Sequence, residues 1–201
     1  MFLACLAPGL WLGVRAWRFF VGHDFMALGP DAAKTMLHET GENALVILFV
    51  TLSVTPVRRL FQVNRVQTVR RMLGLWAFTY ALLHLSTYLV FDQLCYSIAT
   101  CEFEAIKDDI LKRRFIFAGM FAFSMLLPLA ITSTSGWVRR LKKNWQRLHR
   151  LVYLAGGAAV VHYTWIQKSD IRVPIRYAAL LALLLGLRVF FAWRKRRAAA
   201  I

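Results

Sequence analysis

The chain has 201 residues, of which 59% are hydrophobic and 14% aromatic, well above the roughly 45–50% apolar content of a soluble domain. Lys and Arg number 26 against 10 Asp and Glu, a net charge of +16; the basic residues gather in short clusters between long apolar runs, which marks cytoplasmic loops of a membrane protein and argues against a nucleic-acid partner. Three cysteines without CxxC or CxxCH exclude a disulfide framework and covalent c-type haem attachment, and no GxGxxG or P-loop pattern marks a nucleotide domain.

A membrane helix needs about 20 mostly apolar residues, and six segments qualify. They are 2–21, 42–57 (ENALVILFVTLSVTPV), 72–91 (MLGLWAFTYALLHLSTYLVF), 115–132 (FIFAGMFAFSMLLPLAIT), 148–165 (LHRLVYLAGGAAVVHYTW) and 173–193. No room remains for a second domain, so residues 1–201 are expected to form one all-α, six-transmembrane-helix bundle. The connections 58–71, 139–150 and 188–197 carry five, six and five basic residues. The opposite connections hold ten, spread among most of the acids. The first set is therefore placed in the cytoplasm, with both termini on that side. Arg15 and Arg18 oppose this rule, and Trp17, Phe19 and Phe20 beside them suit an interface. Short loops imply antiparallel neighbours.

Five histidines are present. His23 and His38 fall in outer loops; His38 and Glu39 there could face a partner, a quinone or only solvent. His84 lies inside the third segment, and His149 and His162 flank the fifth. A lone histidine on an apolar face is commonly a satisfied core residue, but ionisable groups inside a bilayer are costly and mark functional sites. His84 stands 13 residues beyond Arg71, and His162 stands 12 beyond Arg150. At 1.5 Å per residue both lie about 18–20 Å above the inner boundary, on helices running the same way. Two neutral imidazoles at one depth can ligate one iron from opposite sides. Haem iron held in that way has no open position, so it transfers electrons and does not bind oxygen. Trp76, Phe78, Tyr80, Tyr163 and Trp165 suit a porphyrin, although any membrane core is aromatic.

His149 precedes His162 by 13 residues, about 1300° of helical rotation, which leaves the two about 140° apart on a straight helix. Gly156 and Gly157 would let that helix bend. A second haem at the depth of His149 would need a histidine at position 70 or 71, where the chain has Arg70 and Arg71. Arginine cannot ligate iron, but it can hold a propionate, a flavin phosphate or a quinone oxygen. His149 thus stays open between a ligand with another axial partner, a contact to an electron donor and a boundary residue. Arg70, Arg71, Arg139, Arg140, Lys142, Lys143 and Trp145 form a basic, aromatic inner rim. That rim suits a phosphate-bearing flavin, or simply lipid headgroups.

The stretches RRMLGLWAFTYALLHLSTY, LPLAITSTSGWVRRLKKNWQRLHRLVYLAGGAAVVHYTWIQK and LHETGENAL with TLSVTPVRR resemble the MsrQ (formerly YedZ) family. These are haem-binding membrane subunits of periplasmic protein-methionine-sulfoxide reductase systems, within the ferric-reductase-like transmembrane superfamily. The resemblance spans about residues 30–190. It implies a bacterial inner-membrane protein carrying haem b, with a second haem left open, and bound FMN. Electrons would come from the quinone pool or a cytoplasmic flavin reductase. They would pass to a periplasmic molybdenum-cofactor (molybdopterin) subunit that reduces methionine sulfoxide in envelope proteins. The family's haem histidines fall on His84 and His162, and its third functional histidine falls on His149. In the wider superfamily a 13-residue histidine spacing on one helix serves two stacked haems, which tempers the rotation argument.

Two details depart from the family: KRRFIFAG at 112–119 has Arg114 where proline is usual, and LKKNW stands where LGKRW is usual. Cys95 and Cys101, in the outer connection, are not expected from the family; a disulfide and two free thiols are both open there. Two other readings compete. A stand-alone ferric or quinone reductase of the same superfamily would share the bundle. A transporter using membrane histidines would show inverted repeats and broken midplane helices, and neither is legible.

Overall fold

A computed structural model describes residues 1–95, 101–167 and 170–198. Among these residues the protein is all helical, with nine α-helices: α1 (Phe2–Phe20), α2 (Ala32–Phe61), α3 (Val66–Thr87), α4 (Phe103–Lys112), α5 (Arg114–Ile131), α6 (Ser135–Leu141), α7 (Lys143–Leu148), α8 (Leu151–Ile166) and α9 (Arg172–Ala198). A π-helical turn, Tyr88–Asp92, continues α3. Four helical stretches are long and apolar enough to cross a membrane: α2, α3 with its π turn, α5 and α9. α1 and α8 fall outside that set, and α8 has only 16 residues.

The largest departure from the sequence reading is at α2. It begins at Ala32, ten residues ahead of the expected start at 42, so the presumed outer loop bearing His38 and Glu39 is helix. The Asp31 side chain accepts from the Lys34 amide at 2.9 Å and caps this start, as a short acidic side chain does for the unpaired first-turn N–H groups. Its 30 residues make α2 about 45 Å long, longer than the roughly 30 Å apolar core. The fifth expected segment also changes. α8 starts at Leu151, and His149 sits outside it, at the C-terminal cap of α7. The straight-helix rotation between His149 and His162 therefore does not apply.

α2 packs antiparallel on α3, and α5 on α8. Leu45, Leu48 and Leu52 of α2 meet Leu73, Ala77 and Tyr80 of α3, Leu126 and Leu129 of α5, and Ala155 of α8 in one core. α1 docks on α3 through one buried hydroxyl. Tyr80 is 1% exposed, and its hydroxyl donates to the Cys5 carbonyl at 2.7 Å and accepts from the Gly9 amide at 2.7 Å. Cys5 and Gly9 are a natural i, i−4 pair, so the hydroxyl is inserted into the ladder of α1 beside Pro8. A Cβ on Gly9 would lie 3.0 Å from that hydroxyl.

Charge is sorted by end. All ten acids lie between 24 and 42, between 92 and 109, or at 170. That is the end where α1, α3 and α8 finish and α2, α5 and α9 begin. The ten basic residues outside the three clusters balance them, so the net +16 belongs to the opposite end. Arg15 and Arg18, which opposed the charge rule, pair with Glu39 and Asp24. At the same end Cys95 and Cys101 form a disulfide, with Cα atoms 4.4 Å apart. Asp109 accepts from Tyr88 at 3.0 Å and Gln93 at 2.7 Å and pairs with Arg113 at 3.1 Å, which ties the π turn to α4.

Candidate functional site

α3 and α8 each present one histidine to the space between the helix pairs. The rings of His84 and His162 have centroids 6.0 Å apart and planes at 82°. Each ring is held by a carbonyl of the facing helix. His84 Nδ1 donates to the Leu37 carbonyl at 2.9 Å, and His162 Nδ1 to the Phe115 carbonyl at 2.6 Å. A carbonyl only accepts, so Nδ1 carries the proton in both rings and Nε2 keeps its lone pair. Ring orientation by an outer hydrogen bond of this kind is how metal-ligating histidines are usually fixed.

Glycines make the approach close. A Cβ on Gly41 would lie 3.0 Å from Nδ1 and Cε1 of His84. A Cβ on Gly119 would lie 2.8 Å from the same atoms of His162. No side chain fits at either place unless the imidazole moves.

These contacts repeat at a fixed interval. Adding 78 to Leu37, Gly41 and His84 gives Phe115, Gly119 and His162. Adding 78 to Ala44, Leu48 and Ala81 gives Ala122, Leu126 and Ala159. All twelve line one apolar cavity of about 350 Å³, within the usual range of about 300–1,000 Å³ for small-ligand sites. Buried Ala77 and Ala155 continue the series. The cavity is therefore walled by two copies of one helix pair, running in the same direction. This repeat is direct, not inverted, and was not among the features expected from the sequence. Its signal was an interval of 78 shared by Gly, Ala, Leu and His positions, diluted by unrelated lipid-facing residues.

The site fits two-histidine iron ligation. One metal–imidazole bond of about 2 Å on each side, plus half an imidazole ring on each side, sets the centroids about 6 Å apart. Among the described residues no group of three or more His, Cys, Asp or Glu could hold a bare metal ion. The two histidines have apolar walls around them, as a macrocycle requires.

The remaining candidates lie elsewhere. His149 stacks on Trp145 with centroids 3.8 Å apart, and its Nδ1 donates to the Trp145 carbonyl at 3.1 Å. Trp145 Nε1 in turn donates to the Thr132 carbonyl at 2.9 Å, which ties α7 to the end of α5. Burial pushes the His149 pKa below the ordinary histidine value; the Trp145 carbonyl opposes this, and the Arg70 guanidinium adds to it. Arg70 is thus within electrostatic reach of His149. Arg71 points away, into a groove of about 450 Å³ with Phe2, Thr68 and Trp76. None of His149, Arg70, Arg71 and Trp145 lines the histidine cavity. Glu39 pairs with Arg15, and His38 lies 3.6 Å from Glu42 at the cavity mouth.

A helical bundle with four stretches apolar enough to cross a membrane is the architecture of a multi-pass membrane protein. The model of the ferric reductase like transmembrane component family matches residues 40–160. The chain is 47% identical over 197 residues to the protein-methionine-sulfoxide reductase heme-binding subunit MsrQ of Xanthomonas euvesicatoria pv. vesicatoria, covering 98% of this chain and 87% of that one. It is 48% identical to MsrQ of Xanthomonas axonopodis pv. citri, over 96% and 84% of the two chains. Against MsrQ of Herminiimonas arsenicoxydans identity is 45%, over 84% and 76%. No solved structure matches. The chain belongs to the MsrQ family, within the ferric-reductase-like transmembrane proteins.

Proposed function

We propose that this chain is the haem-binding membrane subunit of a methionine-sulfoxide reductase system, with one haem b held by Nε2 of His84 and Nε2 of His162. The 6.0 Å separation of the two rings carries this reading. Haem held by these two histidines would supply one-electron chemistry, with no position left open for oxygen. The residues of this chain do the rest. Leu37 and Phe115 fix the tautomers, Gly41 and Gly119 let the rings approach, and the apolar wall excludes water.

The bundle is read as six membrane helices in the bacterial inner membrane, termini inside. The acid-free end then faces the cytoplasm, where His149, Trp145, Arg70 and Arg71 would contact the electron donor, a quinone or the FMN of a flavin reductase. The balanced end, with the disulfide, faces the periplasm and the molybdopterin-containing reductase that would accept them. The sequence likeness to MsrQ subunits and the one-sided charge support this direction.

The purified protein is expected to show a low-spin haem spectrum and a pyridine haemochrome stoichiometry near one per chain. His149→Ala should leave that spectrum and stoichiometry intact while slowing reduction by the donor. A colourless protein would end the reading. Fast ferric-chelate reduction by this chain without the periplasmic subunit would favour a stand-alone reductase instead.

A further inference from the structure

Two buried side-chain polar atoms among the described residues have no hydrogen-bond partner, Thr55 Oγ1 and Arg188 Nε. Both belong to one junction. Arg188, on α9, sends Nη2 to the Leu52 carbonyl of α2 at 2.6 Å and Nη1 to the Tyr153 hydroxyl of α8, with the guanidinium over that ring. The Leu52 carbonyl is free because its helical donor would be residue 56, and Pro56 has no N–H. Thr55 lies three residues after Leu52, on the same face of α2.

The surroundings are cationic. Arg59 stacks over Phe191, three residues from Arg188 on α9. No Asp or Glu occurs in 43–91, 110–169 or 171–201, the segments that build this end. A partly buried guanidinium with one closed-off donor and a further cation nearby has no counter-charge from its own chain. Guanidinium donors match the oxygens of a phosphate.

We propose that Arg188, with Thr55 and the flanking Arg59, forms a phosphate-binding site at the α2–α8–α9 junction, at the acid-free end of the bundle. The phosphate belongs to an anionic phospholipid or to a soluble phosphate compound. The site does not depend on the haem reading, because none of these residues touches the histidine cavity.

The test uses the full chain in nanodiscs of phosphatidylcholine alone, with added phosphatidylglycerol, or with added pyrophosphate. Thermal unfolding is followed for wild type, Arg188→Gln, Thr55→Val and, as a rim control, Arg196→Gln. The wild type and the control should gain a few degrees from one of the two anions, and Arg188→Gln and Thr55→Val should lose most of that gain. A gain from phosphatidylglycerol identifies lipid as the source, and a gain from pyrophosphate alone identifies a soluble phosphate. If Arg188→Gln does not fold, Thr55→Val decides. No gain in the wild type, or an equal gain in the variants, overturns the site and leaves Arg188 as a pin between helices.

Discussion

The α2–α3 pair and the α5–α8 pair build the same half-site from different surroundings. Each sets a glycine of the descending helix against a histidine of the ascending one, and each lends a backbone carbonyl one turn before the glycine. They differ in how the helices are joined. α2 reaches α3 through residues 62–65, whereas α5 reaches α8 through α6 and α7, which carry Trp145 and His149. The repeated part is therefore the histidine cavity, and the unrepeated part is the inner rim. On the proposed reading, one iron between two histidines calls for two equal walls, and electron entry for one side only.

Equal walls predict equal losses. His84→Ala and His162→Ala should each abolish the low-spin spectrum, because one imidazole cannot hold a six-coordinate haem. Survival of the spectrum in one variant would break the equivalence. The glycines test it more finely. Gly119→Ala should reduce haem content more than Gly41→Ala, since the added methyl meets its imidazole at 2.8 Å rather than 3.0 Å. Overpacking of this kind costs about 1–3 kcal/mol. Haem content per chain, measured on both variants at equal expression, decides the order.

The nearness of His84 and His162 was legible because depth in a membrane is countable: basic clusters mark the boundary and each residue rises 1.5 Å. Rotation was not legible for His149, because it assumed a helix continuous from 148, and the chain leaves helical bonding around His149 and Arg150. The start of α2 was misplaced for a related reason. HETGEN reads as polar loop, yet Asp31 caps a helix that carries those residues past the apolar boundary. Gly41, within that misread stretch, was lost with it. The Cys95–Cys101 pairing depends on where the two Cα atoms lie, which spacing alone leaves open. Arg188 was counted only as an orientation charge, and its unpaired Nε depends on packing against α2 and α8.

α1 lies outside the repeat, and Tyr80 separates its docking from the cage. Tyr80→Phe removes the hydroxyl bridging Cys5 and Gly9, at a cost of about 1–3 kcal/mol for buried groups left unpaired. Unfolding temperature should fall while the haem spectrum keeps its position. A spectral shift would mean that α1 supports the cage after all.

The smallest difference between the halves is Thr40. Its hydroxyl donates to the Met36 carbonyl at 2.7 Å and lies 3.4 Å from Nδ1 of His84, whereas the equivalent position beside His162 is Ala118. Nδ1 already donates to Leu37, and the 3.4 Å contact is beyond good hydrogen-bond length. Thr40→Val should therefore change stability by no more than about 1 kcal/mol and leave the midpoint potential where it is. If the potential moves, the hydroxyl takes part in orienting His84, and the two half-sites are electronically unequal despite their matching walls.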